Sequence, residues 1–454
     1  MDVVNAHIQH IEAVNPHLNA VVVDRFHAAR AEAEAADAAL ARGDAVGPLH
    51  GVPCTIKECF AVQGMPQTSG LLSRKGLLSK QDAPTVARLR AAGAIVMGVT
   101  NLSELCMWME SDNAVYGRTN NPYDPSRIVG GSSGGEGAIV GAGGSPFGLG
   151  SDVGGSIRMP AFFCGVFGHK ASPGLIPNDG QFPCTAEEVQ WMLASGPLCR
   201  RAEDLAPLVR VLAGRDDAVG DVGAVDFGGM TVIDVGGDGR HRVAPALKAA
   251  QRRAALALEA RGAVLSRRRF EGFRDALQIW SVQLGTGEGG AAFRSLLGKP
   301  RRRDLLPHLF RPLALGGTHT LPAVLLGLIE DVAGLSDAAV RRTLDASDRL
   351  RDDLLEAMGD GVLLFPSHPV PAPTHRNPLI HPFRWVFTAV FNALGLPATQ
   401  IPLGLDSDGL PLGVQVVGPP GADHRLIAVA QALQADMGGW IPPWKTNDAS
   451  DEAA

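Results

Sequence analysis

Glycine and serine crowd two neighbouring stretches, Gly130 to Gly144 and Gly148 to Ser156, and this constrains the fold more than any other feature of the chain. In a regular element each glycine costs about 0.5–1 kcal/mol relative to alanine, because it gives up the most backbone freedom on folding. Spread through an ordinary core, so many would weaken it. Their use must lie in backbone shapes that a side chain forbids, and that points to a site.

The flanking sequence says what carries that site. Residues 1–44 read as helical, with alanine and alternating charge from Asp24 to Arg42 and Gly43 as the stop. A short β-like piece, Gly51-Val-Pro-Cys-Thr-Ile-Lys57, comes next. Asp82-Ala-Pro-Thr85 then opens a helix with Val86 and Leu89 on one side, closed by Gly93, and Ile95 to Thr100 follows as a buried strand. Such alternation predicts an α/β fold, a large twisted mixed β-sheet with helices on both faces. Farther on, residues 226–264 read as strand, Gly-rich loop and helix, and 305–334 as two apolar helices. Gly361 to Pro366 and Leu412 to Val417 read as strands, and Phe383 to Leu394 as an aromatic-rich helix. No repeat or linker divides the 454 residues, so 1–444 is expected to form one domain, with 445–454 a polar tail.

Composition narrows the function classes. Hydrophobic residues make up 45% and charged residues 19%, enough for a sizeable core. The net charge of −6 is dispersed, and the short runs Arg267–Arg269 and Arg301–Arg303 read as solvated surface, so nucleic acid is not an expected partner. Six cysteines without a C-x-x-C pair form neither a disulfide framework nor a zinc spacing. They read as small buried hydrophobes in a reducing compartment. No run approaches 18 apolar residues and no secretory leader is evident, so a cytoplasmic protein without a transmembrane segment is expected.

Gly130-Gly-Ser-Ser-Gly-Gly-Glu-Gly-Ala138 and Gly150-Ser-Asp-Val-Gly-Gly-Ser-Ile-Arg-Met-Pro160, with Val52 to Lys57 upstream, closely resemble the amidase-signature family. The likeness covers most of 15–215 and resumes at Asn392 to Ala398 and Gly409 to Gly418. Glu136 and the run Phe167 to Gly174 are more similar to the fatty acid amide hydrolase-like and bacterial amidase branch. The resemblance implies Ser156 as nucleophile, Lys57 as base, and Ser132, at a cis peptide bond, as the relay between them. It also implies an oxyanion hole from the backbone of Val153, Gly154, Gly155 and Ser156, a small-molecule amide substrate, and neither metal nor organic cofactor.

The residues support that chemistry. A serine hydroxyl needs an adjacent base to become a good nucleophile. No histidine occurs between His50 and His169, so the Gly-rich region has no local imidazole. A lysine can take its place when burial away from carboxylates favours the neutral amine. Cys54, Thr55, Ile56, Cys59 and Phe60 are suitably apolar neighbours, and Glu58 would face the other way on a strand. Gly154 and Gly155 permit the turn that converges several N–H donors on one oxyanion. Asp152 and Arg158 are expected to organise the loop, and Ser133 is a candidate for a further hydrogen bond in the relay.

Two other readings stay open. Gly130-Gly-Ser-Ser-Gly134 fits the nucleophile elbow of α/β-hydrolase esterases, with Ser132 as nucleophile and Asp360 and His368 as formal partners. Within the family, one branch of tRNA-dependent amidotransferase components hydrolyses glutamine, but that branch holds it with a tyrosine in the second half, and this chain has only Tyr116 and Tyr123. In the family the segment after Thr100 lines the acyl pocket. Here Cys106, Met107, Trp108 and Met109, with Phe383, Trp385 and Phe387, can build an apolar wall; ordinary core packing is the competing account. The expected substrates are primary or simple secondary amides with an apolar acyl or aryl group. The helices of 305–334 would shape the entrance or allow peripheral membrane contact. Family members carry extra residues before the point where this chain starts, which implies a truncated start or a homodimer covering exposed apolar surface.

Overall fold

A computed structural model describes residues 1–285, 293–299, 301–309, 317–329 and 335–444. The polar tail at 445–454 lies outside the described residues, as does part of the 305–334 region. The strands of the main sheet are β1 (Val21–Asp24), β2 (Pro53–Lys57), β3 (Ile95–Thr100), β4 (Phe147–Asp152), β5 (Phe167–Lys170) and β6 (Ala194–Cys199). They continue with β7 (Thr231–Asp234), β8 (Val264–Arg267), β9 (Val362–Phe365), β10 (Ala398–Leu405) and β11 (Pro411–Val417). Among the described residues they form one eleven-stranded mixed sheet in the order β1-β3-β2-β4-β6-β5-β10-β11-β9-β7-β8.

The longer helices are α1 (Asp2–Leu18), α2 (Phe26–Arg42), α3 (Pro84–Ala91), α4 (Gly134–Gly141), α5 (Arg158–Phe163) and α6 (Leu205–Ala213). After them come α7 (Pro245–Ala260), α8 (Ala276–Gly285), α9 (Leu321–Ile329), α10 (Asp337–Met358), α11 (Val386–Ala393) and α12 (Asp423–Met437). Strand alternation sends side chains to both faces of the sheet. In β3, Ile95 and Met97 join a core cluster with Val4, Ile8 and Ala29 from α1 and α2, while Val96 and Val99 join the larger cluster on the other side. Both faces are covered, as the α/β reading expects.

Several expectations need adjustment. The N-terminal 44 residues are not all helix. The β-branched run Val21-Val-Val prefers a pleated surface, and it forms β1 at the sheet edge, antiparallel to β3. The helix expected over Phe383–Leu394 begins only at Val386. Glu58 lies just past the end of β2, where strand alternation no longer sets its direction, and it is fully buried, accepting hydrogen bonds from Thr68, Ser69 and Tyr116. Among the described residues no helix is long and apolar enough to cross a membrane.

β2 and β4 are parallel neighbours, Thr55 opposite Gly148, so their carboxyl ends open on the same edge of the sheet. That is where open α/β sheets place their sites. Behind this edge, Glu136 of α4 accepts from Thr55 and Thr100 of β2 and β3, each at 2.7 Å. Its carboxylate fills the space where a Cβ at Gly148 would stand, so β4 requires glycine there. Burial pushes the Glu136 carboxyl up to about 8, against the pull of the two hydroxyls and of Lys57.

The folded carboxyl therefore holds its proton more tightly than the unfolded one, whose ordinary value is 4.5. Its contribution to stability is full below that value and is lost as pH rises through about 8. Glu136→Gln keeps the shape but cannot ionise, its amide accepting from one threonine hydroxyl and donating to the other. Urea midpoints should fall less steeply between about pH 5 and about pH 9 in Glu136→Gln than in the wild type; parallel slopes would refute the assignment.

Candidate active site

Lys57 ends β2 with its side chain fully buried. Its Nζ donates to Ser132 Oγ at 2.7 Å and to Ser151 Oγ at 2.9 Å. Ser132 follows a cis Gly131–Ser132 peptide bond just before α4. Ser156 sits in the turn between β4 and α5, at the same edge of the sheet, and is 7% exposed. The backbone N–H of Ser133 donates to the Ser156 carbonyl at 3.2 Å, tying the two Gly-rich stretches together.

The turn is held by a buried ion pair. Asp152 Oδ1 accepts from the Gly155 N–H at 2.6 Å, from Arg158 Nη2 at 3.0 Å and from Asn392 Nδ2 at 3.0 Å. Asp152 Oδ2 accepts from the Ile157 N–H and from Arg158 Nε, both at 3.1 Å. Burial pushes this carboxyl up, but the Arg158 guanidinium and these donors hold it well below the ordinary carboxylate range. Arg158 is itself fully buried and donates to Gln415 and Asn392 as well. Both residues thus brace the loop.

The carbonyls of the turn are pulled outward. Trp280 Nε1 donates to the Val153 carbonyl at 2.8 Å, and Thr388 Oγ1 donates to that of Gly154 at 2.9 Å. A trans peptide then aims the following N–H the opposite way. Among the described residues nothing accepts from the N–H groups of Val153, Gly154 or Ser156. Gly155 differs from the sequence expectation. Its N–H already donates to Asp152 Oδ1 at 2.6 Å. What Gly155 supplies is shape: its φ is 117°, and a Cβ would collide with the Thr388 hydroxyl.

Ser133 also departs from expectation. Its hydroxyl donates to the Ser151 carbonyl at 3.2 Å, bracing β4. The second hydroxyl on Lys57 is that of Ser151, which the sequence reading passed over. The nucleophile-elbow alternative finds no support. Asp360 is exposed and pairs with Arg425. His368 is buried, bonds the Val370 carbonyl through Nδ1 and packs edge-on to Phe163, and burial pushes it down to about 3. Neither reaches Ser132.

Beside Ser156 lies a narrow cavity of about 80 Å³. Cys106, Met107, Trp108 and Met109 line it together with Trp385. Phe387 does not. Trp385, which caps the start of α11, and Thr388 face the Ser156 turn, while Phe387 and Phe391 lie on the other side of the helix, packed on Phe365. Trp280 and Leu326, from α8 and α9, complete the wall; Trp280 meets Trp385 edge-to-face with ring centroids 4.6 Å apart. Neither was singled out from the sequence, because the region between 215 and 345 has no pattern that marks one aromatic or leucine above the rest.

The sequence profile of the amidase family matches residues 2–427. The chain is 43% identical over 465 residues to fatty-acid amide hydrolase 2 of Homo sapiens, covering 98% of this chain and 87% of that protein. To fatty-acid amide hydrolase 2-B of Danio rerio it is 45% identical over 462 residues, covering 98% and 87%. The solved structure of 6-aminohexanoate cyclic dimer hydrolase complexed with substrate superposes with a TM-score of 0.78 at 28% identity, covering 96% and 93%. Likeness along nearly the whole chain thus coincides with a buried lysine held on Ser132 beside the Ser156 turn, and the protein belongs to the amidase family.

Proposed function

We propose that this carboxamide hydrolase works through an acyl-enzyme on Ser156, with Ser132 as relay and Lys57 as base. The observation that carries this reading is the 2.7 Å hydrogen bond between the buried Lys57 Nζ and Ser132 Oγ. As Ser156 Oγ attacks the amide carbonyl, its proton passes to Ser132 Oγ while the Ser132 proton passes to the Lys57 amine. The tetrahedral oxyanion takes the N–H groups of Val153, Gly154 and Ser156, one such donor being worth about 2.7–4 kcal/mol of barrier. On collapse the proton returns from Lys57 through Ser132 to the leaving nitrogen. Ammonia or an amine departs, and water then releases the acid from Ser156. The Ser156 and Ser132 hydroxyls are not hydrogen-bonded to each other here; such catalytic contacts commonly tighten only with substrate bound.

The apolar wall supports an acyl or aryl group without charge. Among the described residues Tyr116 donates to Glu58 and Tyr123 to the Ile441 carbonyl, and neither lines the cavity, so the glutamine-hydrolysing reading lacks its tyrosine. Ligand pockets usually enclose roughly 300–1,000 Å³. A cavity of about 80 Å³ therefore favours short acyl or aryl groups unless Leu326 on α9 yields.

Three measurements test these assignments. A fluorophosphonate followed by peptide mapping should place its adduct on Ser156; an adduct on Ser132 would instead make that residue the nucleophile. In Lys57→Ala, kcat/KM should drop far more for an amide than for its activated ester, because only the amine needs the returned proton. Equal losses would count against the lysine relay. Across acetamide, propanamide and butanamide, kcat/KM should climb, each buried methylene being worth up to about 0.8 kcal/mol. Glutamine accepted in preference to all three would overturn the choice of substrate class.

A further inference from the structure

A strongly charged cavity outside the active site opens where the parallel strands β7 and β8 end. It encloses about 710 Å³ between the loop that joins β7 to α7 and the segment after β8. Seven lysines and arginines line it against three carboxylates, in a chain whose net charge is −6. The local excess of cations is thus the reverse of the molecule's overall field.

The carboxylates are all spoken for. Asp234 accepts from Arg267 and from Gln251, Glu271 pairs with Arg274 at 3.1 Å, and Asp238 is held by His241 and by the backbone of its own loop. That leaves Arg242, Lys248, Arg268 and Arg269 with no anionic partner among the described residues. Four like charges around one concavity repel each other, and an anion relieves that repulsion. A guanidinium fork matches the oxygens of phosphate in pairs, and several cations together match a ligand carrying more than one phosphate. Phe270, half-buried in the same wall, offers an apolar contact for an organic portion. The volume is that of a small-molecule site. A nucleic-acid track would need a stripe of cations across a surface, and here they converge on one hollow.

We propose that this cleft binds a small molecule or headgroup bearing two or more phosphate groups, held by Arg242, Lys248, Arg268 and Arg269. The Arg267–Arg269 run, solvated surface by its sequence alone, becomes one wall of a binding site. It is separate from the amide chemistry: none of these cations touches Lys57, Ser132 or Ser156. One structural link exists, since the His241 ring in the cleft packs edge-on to Phe387 of α11, whose neighbour Thr388 holds the Gly154 carbonyl.

Calorimetric titration of the whole protein with inorganic pyrophosphate, and flotation with phosphatidylcholine vesicles carrying phosphatidylinositol 4,5-bisphosphate, decide the matter independently of amide hydrolysis. Pyrophosphate binding that weakens about tenfold or more in the triple variant R242Q/R268Q/R269Q supports a soluble ligand. Capture by the vesicles alone, lost in the same variant, supports a lipid headgroup as source. The replaced side chains are exposed, so circular dichroism and amide hydrolysis should be unchanged, and R302Q/R303Q in the other basic run should bind as the wild type does. No binding to either probe, or binding that survives the triple variant or is lost equally in R302Q/R303Q, overturns the proposal.

Discussion

The carboxylate of Asp152 is the point from which the active site hangs. It collects donors from its own turn, from the Arg158 guanidinium and from Asn392, a residue far along the chain. Arg158 in turn reaches Gln415 on β11. A fully buried ion pair is weak evidence for stability by itself, because desolvation offsets much of the attraction. Removing either partner is another matter. It leaves an uncompensated charge, typically at a cost of about 3–5 kcal/mol. The pair therefore works as a lock. The turn that presents Ser156 can adopt its shape only when the second half of the chain has packed against the first.

Three buried carboxylates show how neighbours decide protonation. Asp152 has a guanidinium against it and stays charged. Glu136 has two threonine hydroxyls and is pushed up to about 8, so near neutrality it is largely uncharged. Glu58, with two hydroxyls and two backbone N–H groups, is pushed by burial up to about 7. Lys57 thus meets the hydroxyls of Ser132 and of Ser151 on β4, with Glu136 of α4, a largely protonated acid, nearby in place of a fixed negative charge. A nearby full carboxylate would work against the proposed role of Lys57 as base.

Much of this was legible from residues alone. Lys57, Ser132 and Ser156 stand in a long and unusual signature, and strands such as Ile95–Thr100 announce themselves as apolar runs bounded by glycine. What stayed hidden was what depends on long-range packing. β1 hides between two helices because three valines are too short a signal beside the long helical stretches on either side. Gly155 looked like an oxyanion donor because its sequence position says nothing of the Asp152 carboxylate folded back onto it. Phe387 and Trp385 are two residues apart, yet the helix turns one to the core and the other to the cavity. Trp280 had no signal at all, since a tryptophan in an unpatterned stretch is as often core as site.

The placement of Trp280 and Leu326 has a further consequence. The proposed proton-transfer groups come from β2, from the segment before α4 and from the turn after β4, all early in the chain. The acyl-facing wall draws on α8 and α9, from the stretch whose sequence is least patterned. Bond cleavage and the later part of the wall, though not Cys106–Met109, are therefore encoded in separate parts of the chain and meet only in space. Selection can rework the second without disturbing the first, so long as one indole still reaches the Val153 carbonyl. That single contact is where drift in substrate preference would begin to slow the chemistry itself.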